Sequence, residues 1–335
     1  MLGYEASPSW LHFGRCTAPV RKKQPANRLR VSLSLLGAVV AILATSGTAP
    51  PAVAAARQVE AIEQAGWASR KKVVRLSNGI DLAYVEMGDP KGSPVVLLHG
   101  YTDTSRVWTI VAPYLAGHRL LIPDQRGHGQ SSKPDCCYAP ADFAHDLGLF
   151  LDALQVRRAA IVGSSMGSMV AQLFAAEHPE RTAAIVLAGS TALSPMKREQ
   201  PLWSALTSLE RPANRDTKFL REWSPSASPT PVDATFVRYF DDEMEDVPAH
   251  VWRSVIRELT DFPVARQAAD VRSPVLILTG GKDPLFGPEH HHALLKAYPK
   301  AEAHVLGDLG HNLVVERPDE VGPLLAKFLR DRPEW

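Results

Sequence analysis

The sequence predicts an α/β fold built on a mostly parallel, eight-stranded sheet with helices on both faces. Short β-rich runs alternate with helix-like segments from Val73 onward, and most of these runs are almost entirely apolar. Alternation is typical of a sheet that packs helices on its faces. Uniformly apolar strands indicate burial on both sides, as in parallel sheets. The composition, with 45% hydrophobic and 22% charged residues, is that of an ordinary globular chain.

The eight predicted strands can be taken in chain order. The first two, 71–76 and 80–86, are joined by Ser77-Asn78-Gly79. Asn-Gly supplies the positive φ values that a tight turn needs, so these strands should form a hairpin. The remaining predicted strands are 94–99, 120–123, 159–163, 183–188, 274–279 and 303–306.

The interval between the sixth and seventh strands is much longer than the others. It spans 191–271 and contains several Trp, Phe and Tyr residues and a Pro/Ser-rich hinge at 224–231. A structureless loop of that length is improbable inside a compact domain. We therefore expect a helical cap at 191–271, inserted into a core formed by 71–190 and 272–335.

The N-terminal segment has the pattern of a secretory signal peptide. A cluster of Lys and Arg precedes the apolar run 31–44, and Ala52-Val53-Ala54 offers small residues to a signal peptidase. The run is shorter than the roughly 20 residues that span a membrane, so no stable membrane anchor is expected. We predict a signal peptide at 1–54, a linker at 55–70, and an exported protein, periplasmic or secreted.

Charge and cysteine content exclude several classes of function. The full chain carries a formal charge of +1, and without residues 1–54 it has 31 basic and 35 acidic residues. No strong positive field favours nucleic acid, so no nucleic-acid partner is expected. Cys136 and Cys137 would be the only cysteines left. They could form a vicinal disulfide, form an intermolecular bridge, or stay as thiols. The oligomeric state is left open.

No metal or cofactor is expected. The run His290-His291-His292 is the most suggestive candidate for a metal site. Consecutive helical residues point about 100° apart and cannot converge on one ion, so a solvated helix face is favoured.

The strongest chemical signal is the segment Gly163-Ser164-Ser165-Met166-Gly167. It follows an apolar strand and opens a helix-like segment, which is the strand, sharp turn and helix of a nucleophile elbow. Small residues at both ends are needed because the backbone passes close to its neighbours there. Ser165 is the candidate nucleophile.

A serine hydroxyl needs a base that an acid orients. Asp283 follows the seventh predicted strand, and His311 follows the eighth. The order Ser165, Asp283, His311 is the one expected on this architecture. Asp308 competes for the role of the acid, although it lies on the same loop as the histidine.

The anionic intermediate should be bound by backbone N–H groups. The loop His99-Gly100-Tyr101 follows the third predicted strand, where such a loop belongs. We predict that the N–H groups of Tyr101 and Met166 form the oxyanion hole. His99 precedes a tight loop and is better suited to a structural hydrogen bond than to catalysis.

Together these motifs resemble the α/β-hydrolase family over about residues 70 to 331. The family pattern has a nucleophile elbow after strand 5, an acid after strand 7 and a histidine after strand 8, which matches Ser165, Asp283 and His311. The segment 124–131 is similar to a turn in the capped epoxide-hydrolase-like and haloperoxidase-like branch. Haloalkane dehalogenases and epoxide hydrolases carry Asp where Ser165 stands, and carbon–carbon hydrolases usually carry Trp where Asn312 stands.

This resemblance implies an exported, cofactor-free serine hydrolase that splits an ester or lactone through an acyl-enzyme. The alternatives are a cofactor-free haloperoxidase or perhydrolase, a carbon–carbon hydrolase with the same triad, and a non-catalytic ligand-binding protein. The expected partner is a small-molecule substrate with an apolar acyl or aryl part. The aromatic residues of the predicted cap would either bind that part or pack the cap's own core; they are Trp203, Trp223, Phe236 and Trp252.

Overall fold

The computed structural model describes residues 61–211, 220, 224–225, 228–262 and 264–332. The predicted signal peptide, residues 55–60 of the predicted linker, and Trp223 lie outside these ranges. The domain bounds derived from the sequence, including those of the cap, stay predictions.

An eight-stranded sheet forms the centre of the fold, with strand order β1-β2-β4-β3-β5-β6-β7-β8. Strand β2 runs antiparallel to both of its neighbours, whereas β3 to β8 are mutually parallel. The predicted fold class is confirmed, and the predicted strand ends differ from the observed ones by no more than two residues. The strands are β1 Lys72–Arg75, β2 Asp81–Gly88, β3 Pro94–Leu98, β4 Arg119–Pro123, β5 Ala159–Ser164, β6 Thr182–Ala188, β7 Val275–Gly280 and β8 Glu302–Leu306.

Helices flank the sheet, and three of them, α3, α4 and α5, lie in the long interval between β6 and β7. Four of the helices begin with proline, which suits the first turn because its N–H has no intrahelical partner there. The α-helices whose bounds lie within the described ranges are α1 Pro140–Ala153, α2 Met166–Glu177, α3 Pro201–Thr207, α4 Ala234–Glu245, α5 Ala249–Asp261, α6 Pro288–Ala297, α7 Leu313–Glu316 and α8 Pro318–Arg330.

The central strands are buried on both faces. Every residue of β5, β6 and β7 is buried, which explains why these strands read as continuous apolar runs. Within the described part of the chain, no helix has the length and apolar character needed to cross a membrane.

The strand order determines where a site can form. Because β3 lies between β4 and β5, the direction in which strands are added reverses there, and such a switch point opens a crevice at the carboxyl ends of the strands. The loops that follow β3, β5, β7 and β8 all emerge at that edge.

A buried carboxylate ties two of the nearby loops together. Asp124, directly after β4, accepts hydrogen bonds from the N–H groups of Ser105 and Gln130 and from Lys71 Nζ at 2.7–2.9 Å. Burial alone would raise the pKa of Asp124, but the Lys71 ammonium and the N–H donors hold it below its ordinary value. The segment 124–131 therefore stabilises a turn next to the site.

Candidate active site

The turn between β5 and α2 holds Ser165 in a backbone conformation that L residues rarely adopt, with φ +50° and ψ −118°. A Cβ at Gly163 would lie 2.3 Å from the Gly167 carbonyl oxygen, and one at Gly167 would lie 2.3 Å from that of Leu98. Only glycine fits at either position. This close packing explains the small residues of the motif and produces the elbow that presents Ser165.

The structure brings the three predicted triad residues together. His311 Nε2 lies 2.9 Å from Ser165 Oγ, and His311 Nδ1 lies 2.8 Å from Asp283 Oδ2. Both distances are those of hydrogen bonds. In the tautomer with the proton on Nδ1, the imidazole donates to Asp283 and its Nε2 accepts from the serine hydroxyl. This is the arrangement that a general base needs.

Asp283 is itself fixed by its loop. Its Oδ1 accepts hydrogen bonds from the N–H groups of Leu285 and Phe286, at 2.8 and 2.9 Å. Burial works to raise the pKa of Asp283, but the attraction of His311 and these N–H donors lower it below the ordinary value. The carboxyl is therefore ionised at neutral pH, as the partner of an imidazolium must be.

The competing acid, Asp308, takes part in a different interaction. Its exposed carboxylate forms an ion pair with Lys282 Nζ at 2.9 Å, and this partner lowers the pKa of Asp308. His311 instead contacts Asp283, so the geometry favours the acid at the end of β7.

The predicted oxyanion loop lies directly against the nucleophile. A Cβ placed on Gly100 would be 3.2 Å from Ser165 Cβ, so the loop after β3 touches the elbow. Met166 is the first residue of α2, and first-turn N–H groups have no partner within their own helix. Met166 directly follows Ser165 in the chain, and Tyr101 directly follows Gly100, which lies against Ser165. Their role in binding an oxyanion stays a prediction.

His99 has a structural environment. Its Nε2 accepts the N–H of Gln125 at 2.8 Å, and its Nδ1 lies 2.8 Å from the carbonyl oxygen of Gly100. Burial lowers the pKa of His99 to about 4, so the ring is neutral at pH 7. A neutral ring with both nitrogens engaged is not available as a base, in agreement with the sequence-based interpretation.

One ionisable group close to the site was missed by the sequence reasoning. Asp103 Oδ2 accepts the N–H of Gly100 at 3.1 Å, in the loop that touches Ser165. Burial raises the pKa of Asp103 to about 7, against the opposing effects of the Gly100 N–H and the charge of His311. In the sequence, this residue is an ordinary Asp in a polar turn, and no local signal distinguishes it.

A second residue that the sequence did not identify, Glu316, positions the loop that carries His311. Glu316 at the end of α7 is 3% exposed, and its Oε2 accepts the N–H of Gly310 at 2.9 Å. Burial raises the pKa of Glu316. A signal was present, since an acidic residue follows the apolar run Leu313-Val314-Val315, five positions after His311.

The structure favours packing roles for the cap aromatics. Trp252 is fully buried, and its ring lies 5.4 Å from the ring of Tyr101. Phe236 is 1% exposed and packs on Phe240 within α4, with 5.7 Å between ring centroids, and Trp203 is half-buried. The contact of Phe236 agrees with the alternative that the aromatics pack the cap, whereas Trp252 packs the insertion against the loop after β3. A direct substrate contact by any of them stays a prediction.

The three consecutive histidines show no metal site. No group of three or more His, Cys, Asp or Glu that could hold a metal occurs among the described residues. The expectation of a solvated face was wrong for two of the histidines. His290 Nδ1 lies 2.6 Å from Thr191 Oγ1 and His291 Nδ1 lies 3.0 Å from Thr279 Oγ1, because α6 packs its first turn against the ends of β6 and β7.

Comparison with known proteins agrees with this geometry. The model of the alpha/beta hydrolase fold family matches residues 93–318, and the chain belongs to that family. Its curated relatives include Lipase 1 of Psychrobacter immobilis, which is 26% identical over 77% of this chain and 83% of the relative. They also include a haloalkane dehalogenase of Mesorhizobium japonicum, 28% identical over 74% of this chain and 87% of the relative.

Solved structures show the same fold. A hydrolase from Pseudomonas aeruginosa PA01 is 27% identical, with a TM-score of 0.68 over 77% of this chain and 98% of its own. An enol-lactonase from Burkholderia xenovorans LB400 has a TM-score of 0.67 at 21% identity, which supports the fold alone. The protein is therefore an alpha/beta hydrolase whose distant relatives include a lipase and a haloalkane dehalogenase.

The two candidate acids can be separated by a matched pair of variants. Asp283→Asn should lower kcat by roughly 10³- to 10⁴-fold with little change in KM, because the amide favours the wrong imidazole tautomer. Asp308→Asn should leave kcat within about twofold, since it removes an exposed ion pair. Steady-state kinetics on a chromogenic ester measure both, and a larger loss in Asp308→Asn would overturn the assignment.

The raised pKa of Asp103 predicts a pH-dependent stability difference. A carboxyl whose folded-state pKa is raised contributes stability that is present below about pH 4 and is lost as the pH rises through about 7. The Tm of Asp103→Asn relative to the wild type should therefore increase between pH 4 and pH 8. Thermal unfolding in a pH series measures this, with Asp331→Asn at an exposed carboxylate as the control. A constant difference in Tm would contradict the prediction.

Proposed function

We propose that this protein is a serine hydrolase that splits a carboxylic ester or lactone through an acyl-enzyme. The observation that carries the proposal is the continuous hydrogen-bonded chain from Ser165 Oγ through the His311 ring to Asp283, with distances of 2.9 and 2.8 Å. A nucleophile, its base and the group that orients the base are the parts that acyl transfer needs.

Acylation uses these groups in order. Ser165 Oγ attacks the carbonyl carbon while its proton passes to His311 Nε2, and the carbonyl oxygen becomes an oxyanion bound by the N–H groups of Tyr101 and Met166. Asp283 stabilises the imidazolium through the Nδ1–H bond. When the tetrahedral intermediate collapses, His311 returns the proton to the departing alkoxide, and the acyl group stays on Ser165.

Deacylation repeats the same proton transfers with water. Water loses a proton to His311 Nε2 and attacks the acyl carbon, and the second tetrahedral intermediate collapses to release the acid as Ser165 recovers the proton. In a lactone the leaving hydroxyl stays attached to the acyl chain, so a single hydroxy acid is released.

The nucleophile distinguishes this proposal from the chemistry named for one relative. The family resemblance implies an aspartate nucleophile in haloalkane dehalogenases, and this chain has Ser165 at that position. A serine hydroxyl must lose its proton to attack an acyl carbon, and His311 beside Ser165 supplies the base for that step. A carboxylate nucleophile is already deprotonated and needs no such base. Acyl chemistry is therefore favoured over displacement at a carbon–halogen bond.

The substrate we propose is a small molecule with an apolar acyl or aryl part. Helix α5, in the insertion between β6 and β7, buries mostly apolar side chains and contacts Tyr101 of the proposed oxyanion loop. Pockets for small ligands are mostly apolar, with a few polar groups that fix orientation. The similarity to Lipase 1 of Psychrobacter immobilis supports an ester as the substrate.

We further propose that the protein is exported, on the basis of the basic and apolar pattern before residue 55. Expression of the full chain in a secreting bacterial host should yield protein cleaved after Ala54. Intact-mass measurement and N-terminal sequencing of the recovered protein test this. A mature chain that begins before residue 31 would reject the signal peptide.

Replacement of the nucleophile tests the proposed reaction. Ser165→Ala should lose ester turnover by several powers of ten and keep its Tm close to that of the wild type, because alanine fits the elbow but supplies no hydroxyl. A fluorophosphonate probe should label the wild type alone. Esters, lactones and amides of graded acyl length, assayed with and without peroxide, then identify the substrate class. Labelling that persists in the variant would place the nucleophile elsewhere.

A further inference from the structure

Two adjacent cysteines that the proposed reaction does not use form a disulfide on the surface of the protein. Cys136 and Cys137 are both exposed, in the loop between β4 and α1, and their sulfurs are bonded to each other. This selects the vicinal disulfide among the alternatives that the sequence left open. An exposed disulfide is accessible to thiols in solution.

The backbone at Cys137 has an unusual conformation that a disulfide to the adjacent Cys136 can maintain. Cys137 has φ +72°, in the left-handed region that residues with a Cβ seldom occupy. A bond between adjacent side chains closes a small ring that includes the connecting peptide and restricts φ of the second cysteine. When the bond is reduced, Cys137 is free to return to negative φ, and its carbonyl group must then reorient.

The carbonyl group of Cys137 is engaged with the core. It accepts a hydrogen bond from Arg126 Nη1 at 2.7 Å, while the other guanidinium nitrogens bind both carboxylate oxygens of Asp146 at 2.6 Å. The Arg126–Asp146 pair is almost completely buried. The disulfide thus helps to position the Cys137 carbonyl group against the buried Arg126–Asp146 ion pair.

The same loop supports the first turn of α5. The buried Tyr138 donates its hydroxyl proton to the carbonyl oxygen of Pro134 at 2.7 Å, and His250 Nε2 lies 3.1 Å from the same oxygen. The rings of Tyr138 and His250 meet edge to face at 6.2 Å. Any change in the direction of the chain at Cys137 therefore acts on the contact with His250.

Two residues beyond His250, α5 contacts the proposed oxyanion loop. The carbonyl oxygen of Trp252 accepts the hydroxyl proton of Tyr101 at 2.7 Å, and the two rings pack edge to face. The contacts from the cysteine loop to the start of α5 and from α5 to Tyr101 are separated by less than one helical turn.

We propose that Cys136–Cys137 is a thiol–disulfide exchange site whose oxidised form holds the first turn of α5 in place beside Tyr101. The reductant is a low-molecular-weight thiol. One thiolate attacks a sulfur of the pair to give a mixed disulfide, and a second thiol displaces it. Two electrons and two protons pass to the cysteines, which become thiols, and the reductant leaves as its own disulfide.

Hydrogen exchange of the wild-type protein tests this in both redox states. After reduction with excess dithiothreitol and mass confirmation that the pair has gained two hydrogens, peptides from 249–261 should exchange severalfold faster. The exchange rate of peptides from α8 should be unchanged, because the contacts that lead from the cysteine loop through His250 to Tyr101 do not involve that helix. The double variant Cys136→Ser with Cys137→Ser should exchange at the faster rate whether or not the thiol is present.

His250→Ala provides a second variant that keeps the disulfide. It should show fast exchange at 249–261 in the oxidised state and little further response to reduction, because the contact that relays the change is gone. Equal exchange rates in the two states of the wild type would overturn the proposal. So would protein purified under air in which Cys136 and Cys137 are both free thiols. Because the readout is exchange and not ester turnover, the result stands even if the proposed reaction is wrong.

Discussion

The close packing of backbone at the β5–α2 turn is the constraint on which the rest of the site depends. Gly163 and Gly167 leave no space for a Cβ, and Ser165 is held at positive φ between them. Its N–H donates to the carbonyl oxygen of Ala188 in β6 at 2.9 Å, which anchors the turn to the next strand. A nucleophile fixed by backbone contacts does not need to be ordered when the substrate binds, so the geometry is prepared in advance.

The remaining site loops are held mainly by carboxylates that accept backbone N–H groups. Asp103 holds Gly100 beside Ser165, and Glu316 holds Gly310 beside His311. Asp283 is oriented in the same way by N–H groups of its own loop. Burial raises the pKa of Asp103 and Glu316, whereas the neighbouring His311 helps to keep that of Asp283 low. Similar hydrogen bonds therefore accompany pKa shifts of opposite direction among the carboxyl groups around one site.

The parts that the sequence predicted are those determined by local pattern. Apolar runs identified the strands, and the positions of Ser165, Asp283 and His311 after particular strands were sufficient to bring them together, because parallel strands end at one edge. The contact between Tyr101 and Trp252 could not be predicted in this way. It joins residues 151 positions apart, through a helix whose placement depends on tertiary packing. Whether a cap aromatic faces the substrate or the core has no local signature.

The insertion between β6 and β7 is fastened to the core by polar contacts on both sides of the site. On the side of the oxyanion loop, Glu243 of α4 pairs with Arg106 at 2.5 Å and accepts the hydroxyl of Thr104. The Arg106 side chain is 2% exposed, so separating this pair would leave a buried charge without its partner, which costs about 3–5 kcal/mol. On the side of the histidine loop, Asn312 donates to the hydroxyl of Ser228 at 3.2 Å, and the buried Glu316 carboxyl group accepts hydrogen bonds from the Ser228 hydroxyl and the Thr230 N–H. An acidic side chain therefore takes part in the attachment on each side of the site, Glu243 of the insertion beside the loop after β3 and Glu316 of the core beside His311. Movement of the insertion would disrupt hydrogen bonds on both sides.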